Sequence, residues 1–313
     1  MRLLTSLLPL AVFAALPVAA LAGTATVSTS SGKDKAVQPV ECTPNTLDDV
    51  IIDSDYGFHE NLDRGSANME VEHNNIQLDH RIPLSFLKWP DVQCGQWFLR
   101  LGADYERYDF SIHNETRLPD TLQSIAGIIA IDYRWNNKTA FMIETRPGVY
   151  FEHKINAGSF DSPVTLTLAF PLLGDNVFGI VGAYVSALVS PPVFPIGGID
   201  WIISDKWDLR AVFPEPRLVY HCCKDVDLFV GGELNGGGYK TDNRNVNPGR
   251  LSGTVVTFDQ ERAGAGCTWN AKPLTIELAG GYTLQSQFYF NRAIQTFSAH
   301  PAPYIRLSAR LDF

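Results

Sequence analysis

From about Ala67 onward the chain alternates between apolar and polar positions. Trp97, Leu99, Leu101, Ala103 and Tyr105 are apolar, with Arg100, Gly102, Asp104 and Glu106 between them. Ile125, Ile129, Ile131, Tyr133 and Trp135 share one face, against Asp132 and Arg134 on the other. After Asn136-Asn137, Phe141, Ile143, Val149 and Phe151 stand opposite Glu144 and Arg146. Leu274, Ile276, Leu278, Tyr282, Leu284, Phe288 and Phe290 share a parity, with Glu277, Thr283, Gln285 and Gln287 on the other. A period of 2 marks a strand with two unlike faces. Ordinary strands last about five or six residues, whereas a tilted strand needs roughly 9–11 to cross a bilayer, and these segments have the longer span.

The pattern predicts an all-β fold over residues 66–313: a transmembrane antiparallel up-and-down β-barrel of about 12 strands. The strand centres fall near Asn75, Leu101, Ile128, Thr145, Leu166, Val181, Ile199, Val212, Val230, Phe258, Leu278 and Leu307. Asn270-Ala271-Lys272 is a very short join, while Lys240–Ser252 and Asn291–Pro301 are long and polar. Bilayer barrels carry short turns on one rim and long loops on the other. With both termini on the short-turn rim, an even count puts those two loops opposite. The same count puts the Tyr108–Pro119 join on the short-turn rim, where it fits poorly. Ser190-Pro191-Pro192 and Pro214-Glu215-Pro216 predict turns or bulges, because proline donates nothing to a ladder. No repeat of 20 to 50 residues is visible, which excludes solenoids and propellers.

The N-terminus sets the compartment. Arg2, the apolar run Leu3–Val18 and the small-residue site Ala20-Leu21-Ala22 predict a cleaved signal peptide over residues 1–22. Residues 23–65 are expected to form a disordered or tethering acidic segment. Around Val50-Ile51-Ile52 the sequence leaves a short strand, a small plug and a tether open.

Composition narrows the class. Charged residues make up 19% of the 313, below the roughly 25% usual in soluble domains. No apolar run of about 18 residues follows the leader, which excludes a helical membrane protein. An aromatic content of 11% excludes disorder for most of the chain. The net charge of −9 argues against a nucleic-acid partner. Five cysteines leave at least one unpaired within the chain. Cys222-Cys223 are adjacent and bridge poorly to one another, and no C-x-x-C spacing suggests zinc. No metal site and no cofactor is expected.

The last ten residues, Tyr304 to Phe313, alternate to the end, with Ile305, Leu307, Ala309, Leu311 and Phe313 on one face. Soluble chains rarely finish on a core-facing aromatic residue, because termini fray. This ending resembles the C-terminal signal of bacterial outer-membrane proteins. The resemblance implies outer-membrane localisation and recognition of Phe313 by the barrel-assembly machinery. Deleting Phe313 is expected to lower the folded, heat-modifiable fraction in outer membranes; normal insertion without it would contradict a closing strand. A second resemblance rests on Gly198-Ile199-Asp200-Trp201, Trp207, Phe213-Pro214-Glu215-Pro216-Arg217 and Tyr220. These residues resemble the signature of a family of outer-membrane barrels known only as a domain of unknown function. That family offers no catalytic residues to carry over.

Parity opposite the apolar face assigns Asp79, Asp104, Asp132, Glu144, Asp200, Glu233 and Glu277 inward. It does the same for Arg81, Arg100, Arg134, Arg146, Arg210, Arg306 and Arg310. An Arg or Lys facing lipid near the midplane costs about 2–4 kcal/mol, so the lumen is where these charges belong. Their balanced signs fit either ion pairs that fill the barrel or a wet channel with a mixed-charge constriction. None of the seven histidines sits in the H-x-S-N-G context of the outer-membrane phospholipase type, which this chain resembles in size. No G-x-S-x-G elbow or H-E-x-x-H motif occurs. The expected function is therefore non-enzymatic: a porin-like channel or transport protein for small solutes, including hydrophobic compounds, surrounded by outer-membrane lipid. A lipid-modifying enzyme and a structural or adhesion barrel acting through its long loops are the alternatives.

Overall fold

The computed structural model describes residues 48–63, 67–84, 96–135, 139–243, 246 and 249–312. The expected leader, the segment before residue 48 and Phe313 lie outside the described residues. Seventeen strands form one sheet. They are β1 (Asp48–Asn61), β2 (Asn68–Pro83), β3 (Gln96–His113), β4 (Thr121–Arg134), β5 (Ala140–Thr145) and β6 (Gly148–Phe151). Next come β7 (Phe160–Asp161), β8 (Val164–Leu173), β9 (Val177–Val185), β10 (Val193–Ser204), β11 (Trp207–Phe213) and β12 (Arg217–His221). The last are β13 (Val226–Lys240), β14 (Val255–Ala271), β15 (Leu274–Phe290), β16 (Gln295–Ala299) and β17 (Ala302–Asp312).

Antiparallel pairings run from β1 through β2, β3, β4, β5 and β8 to β15, then through β17 back to β1. The circuit is a closed barrel of 14 strands. Strands β6, β7 and β16 add short ladders at the end opposite Asp48 and Asp312, the loop end.

The count of about 12 is corrected to 14, because two strands carry weak alternation. Asp48–Asn61, assigned from sequence to a disordered or tethering segment, is the first strand and pairs along both edges. Arg217–His221 is the other, only five residues long. Inserting β1 moves the Tyr108–Pro119 join to the loop end, where its length fits. Inserting β12 restores the direction of everything after it.

The outer face carries a band. On β3 it is apolar from Trp97 to Tyr105, nine residues, and then polar at Arg107, Asp109 and Ser111. On β2 the change falls at the same level, because Ile76 pairs with Tyr105 and Asn74 with Arg107. Exposed apolar residues are cross-strand neighbours around the circuit: Leu101 with Ile129, Ile131 with Ile143, Ile143 with Leu166, and Leu278 with Leu307. Leu278 is 55% and Leu307 52% exposed. At the termini end the band finishes in aromatic pairs, Trp97–Tyr133 with ring centroids 4.4 Å apart and Trp207–Tyr220 at 4.8 Å.

One facing assignment is reversed. The alternation places Phe288 and Phe290 with Leu278 on the outside, yet both are fully buried. Arg262 pairs with Thr283 but Glu261 with Gln285, so Leu284 is an extra residue that shifts the register. A bulge of this kind flips every later side chain to the other face.

Candidate functional site

Most of the inward charges pair with one another along the wall. Arg100 bridges Glu144 and Asp79, the latter at 3.7 Å. Arg146 Nε donates to Glu144 Oε1 at 2.7 Å, and its Nη1 lies 3.4 Å from Asp104 Oδ2. Arg81 lies 3.6 Å from Asp132, and the Arg134 guanidinium sits over the Phe98 ring at 5.8 Å. Arg306 joins Glu233 to Glu277, with Nη2 donating to Glu277 Oε1 at 2.7 Å. Arg310 donates to Asp49 and Asp312, each at 2.7 Å. Arg210 stands directly across from Asp200 in the β10–β11 ladder. An acid and a base on neighbouring strands, about 4.8 Å apart, are within reach of a long arginine side chain.

A second charged layer lies nearer the loop end, and of its members sequence reasoning found only Glu233. Arg262, with no side-chain exposure, donates from Nη2 to Asp55 Oδ1 at 2.6 Å and to Gln260 Oε1 at 2.7 Å. Its Nη1 also reaches Glu233 Oε1 at 3.3 Å. His73 lies between Asp55, 2.6 Å from Nδ1, and Glu106, 3.2 Å from Nε2. Tyr108 and Tyr239 both donate their hydroxyl protons to Glu106. Asp55 was hidden in the acidic segment that is really β1. Arg262 follows Glu261, and two adjacent charges give no parity to read.

Above that layer the bore is filled by side chains. Tyr108, Phe110, Leu122, Tyr239, Phe258 and Phe288 belong to one buried apolar cluster. Phe258 contacts Phe288 at 4.7 Å, Phe110 at 4.9 Å and Tyr108 at 5.2 Å between ring centroids. Edge-to-face and offset packing of this kind is close and dry. It forms an aromatic plug at the loop end. Below it lies a cavity of about 290 Å³. Ile180, Ile196, Val212 and Phe213 line one part of it, and Glu277, Arg306 and Arg310 another. Thr275, Ser308 and Arg310, toward the termini end, are partly exposed, whereas Tyr108 at the plug is 1% exposed.

Other chemistry-bearing groups lie apart from the cavity wall. His221 is engaged on both ring nitrogens, by Asp227 at 2.7 Å and Asp208 at 2.9 Å. A histidine held on both nitrogens by carboxylates presents no free nitrogen to a serine nucleophile, and His73, which does line the cavity, is held in the same way. Asp120, Glu152 and His153 at the loop end bring three ligand atoms within 4.8 Å of one another. No sequence spacing signalled that grouping, and no metal site was expected. Cys222, Cys223 and Cys267 are unbridged.

The family model described as Domain of unknown function (DUF6268) matches residues 49–311. No curated protein matches the chain. Among solved structures, the COG4313 outer membrane channel from Pseudomonas putida F1 is similar at 8% identity and a TM-score of 0.46, covering 89% of this chain and 100% of its own. The TodX monoaromatic hydrocarbon channel deltaS2 mutant is 9% identical with a TM-score of 0.45, covering 87% and 91% respectively. The transport unit of the autotransporter AIDA-I from Escherichia coli is 10% identical with a TM-score of 0.32, covering 88% and 93%.

Proposed function

The chain belongs to the family described as Domain of unknown function (DUF6268), and we propose that it is a bacterial outer-membrane barrel that passes small solutes through its lumen. The observation that carries this reading is the pairing of an apolar outer band with a charged interior around a cavity. A soluble monomer rarely exposes a contiguous apolar patch of more than a few hundred Å². The nine residues from Trp97 to Tyr105 match the length that a tilted strand needs to cross a bilayer. Aromatic residues at the band's edge suit the membrane–water interface. In this arrangement the termini end faces the periplasm and the long loops face outward. The leader over residues 1–22 would direct export, Phe313 would serve the assembly machinery, and lipid would surround the band. The barrel acts without enzymatic chemistry.

The bilayer reading is tested by one strand carrying two substitutions. Leu278→Arg, on the outer face of β15, is expected to lower folding stability in lipid vesicles by about 2–4 kcal/mol. Thr275→Arg, on the cavity face of the same strand, should lose less than about 1 kcal/mol. Urea titration of vesicle-folded protein reads both. Equal losses would contradict lipid contact at Leu278.

A further inference from the structure

The motif Phe213-Pro214-Glu215-Pro216-Arg217, prominent in the sequence, ends a hairpin partway up the wall. The β11–β12 ladder stops at Arg210 opposite Arg217. Pro214 and Pro216 have no N–H to extend it. Above that level, among the described residues, no strand pairs with Val193–Ile196 of β10 on the side that faced β11. On β13 the pairing with β12 stops at Gly231, and a single bond follows from the Gly232 amide to the Pro216 carbonyl. Higher still, Lys240 meets Phe151 of β6 in a parallel bridge that closes the loop end. The wall therefore has a break between β10 and β13, floored by Pro214–Pro216 and roofed by Phe151 and Lys240.

Side chains and one connection fill the break. Tyr184, Val189, Phe194 and Leu234 form a small apolar cluster of their own. Phe194 also stacks on Phe213, with ring centroids 5.0 Å apart. The β9–β10 connection, residues 186–192, crosses the outside of β13 as a strap. Leu188 presses on Gly238, where any Cβ would collide with the Leu188 carbonyl. The Ser190 amide donates to Thr257 Oγ1 of β14 at 3.3 Å. Ser186 Oγ donates to Asp161 Oδ2 at 2.6 Å and anchors the strap's near end. Thr257 faces outward yet is fully buried beneath it.

Backbone without a ladder partner survives at membrane depth only where protein covers it or where it lines a cavity. Here the cover is a strap held by a few hydrogen bonds and apolar contacts, far less than a continuous ladder. Directly behind it lies the 290 Å³ cavity, whose lining includes Tyr184, Ile196, Phe213 and Pro214 from the break itself. The axial route outward, by contrast, is blocked by the aromatic plug.

We propose that the break is a side port, closed by the strap, through which a small amphipathic molecule passes between the surrounding bilayer and the cavity. This rests on the membrane-channel reading and names its solute class and route. The cavity's Ile180, Ile196 and Val212 suit an alkyl or aromatic body, and Arg306 and Glu277 suit a polar head. Its volume admits a molecule of about the size of the smallest pocket ligands.

The experiment uses a diazirine derivative of octanol premixed into phosphatidylcholine vesicles that hold the folded protein. After illumination, labelled peptides are mapped by mass spectrometry. In the wild type, label is expected on β9 to β11 around Ile180, Ile196 and Val212. Ser190→Cys with Thr257→Cys, oxidised to a disulfide identified by its linked peptides, pins the strap. Pinning should lower cavity labelling about fivefold, and reduction should restore it. Gly238→Ala, which pushes Leu188 off β13, should raise the yield above wild type. Equal labelling with the strap pinned and free would place entry at the barrel ends, overturning the port while leaving the channel reading intact. An unchanged yield in Gly238→Ala would overturn the strap as the closure. Cavity residues that stay unlabelled in every state would contradict the port and the solute class together, and the Leu278→Arg result would still report whether the barrel lies in lipid.

Discussion

Arg262→Ala is expected to destabilise the folded barrel by about 3–5 kcal/mol, because it strands buried carboxylates. The guanidinium has no exposure, contacts Asp55, Glu233 and Gln260, and sits over the Tyr304 ring at 4.9 Å. Taking two charges from water is costly in itself, and a pair recovers that cost only while both partners are present. Asp55 retains His73, and Glu233 retains Arg306. Those remaining partners place the loss toward the lower end of the range. Adding Asp55→Asn to the variant should recover part of it, because it removes the carboxylate that has lost its guanidinium partner and keeps only His73. Unfolding midpoints of wild type, single and double variants would check this. A double variant no more stable than Arg262→Ala would mean that lost packing on Tyr304, rather than the orphaned acid, sets the cost.

Most of the barrel was legible because an outer face built of apolar side chains leaves charges one place to go. Arg100, Asp104, Arg306 and Glu277 sit between apolar residues, Glu144 and Arg146 continue the parity opposite Phe141 and Ile143, and that alternation placed them on the inner face, where they lie paired. β1 was not legible. Ile51 faces the cavity and Ser54 is solvent-accessible on the other side, so its alternation is broken at two points, and its acids read as a polar tail. β12 is too short for a period to show. The aromatic plug was not legible for a different reason. The bulge at Leu284 carries no glycine or proline to announce it, so Phe288 and Phe290 kept the parity of Leu278 on paper and lost it in the fold. The motif around Phe213–Arg217 was visible as residues, but its consequence depends on where β10 and β13 stand on either side. Spacing along one chain does not contain that relation.

The second large effect concerns the plug. Phe258 and Phe288 are fully buried and touch each other across the β14–β15 ladder, where they are directly paired. Each Phe→Ala replacement in a packed core costs about 3–5 kcal/mol, so Phe258→Ala with Phe288→Ala should be markedly less stable than the wild type. What remains would be a bore whose narrowest part has lost two rings. An apolar constriction stops ions by excluding water, and widening it lets water and ions through. The same substitution that weakens the fold should therefore open an axial path where the two rings now pack.

Planar-bilayer recording on wild type and on this double variant, each first shown to be inserted by its heat-dependent gel shift, tests the central claim most directly. The wild type should insert and carry little current, while the variant should show stepwise openings with about tenfold or more current. A wild type that conducts as freely as the variant, or an inserted variant that stays silent, would contradict a membrane barrel closed along its axis by its own aromatic side chains.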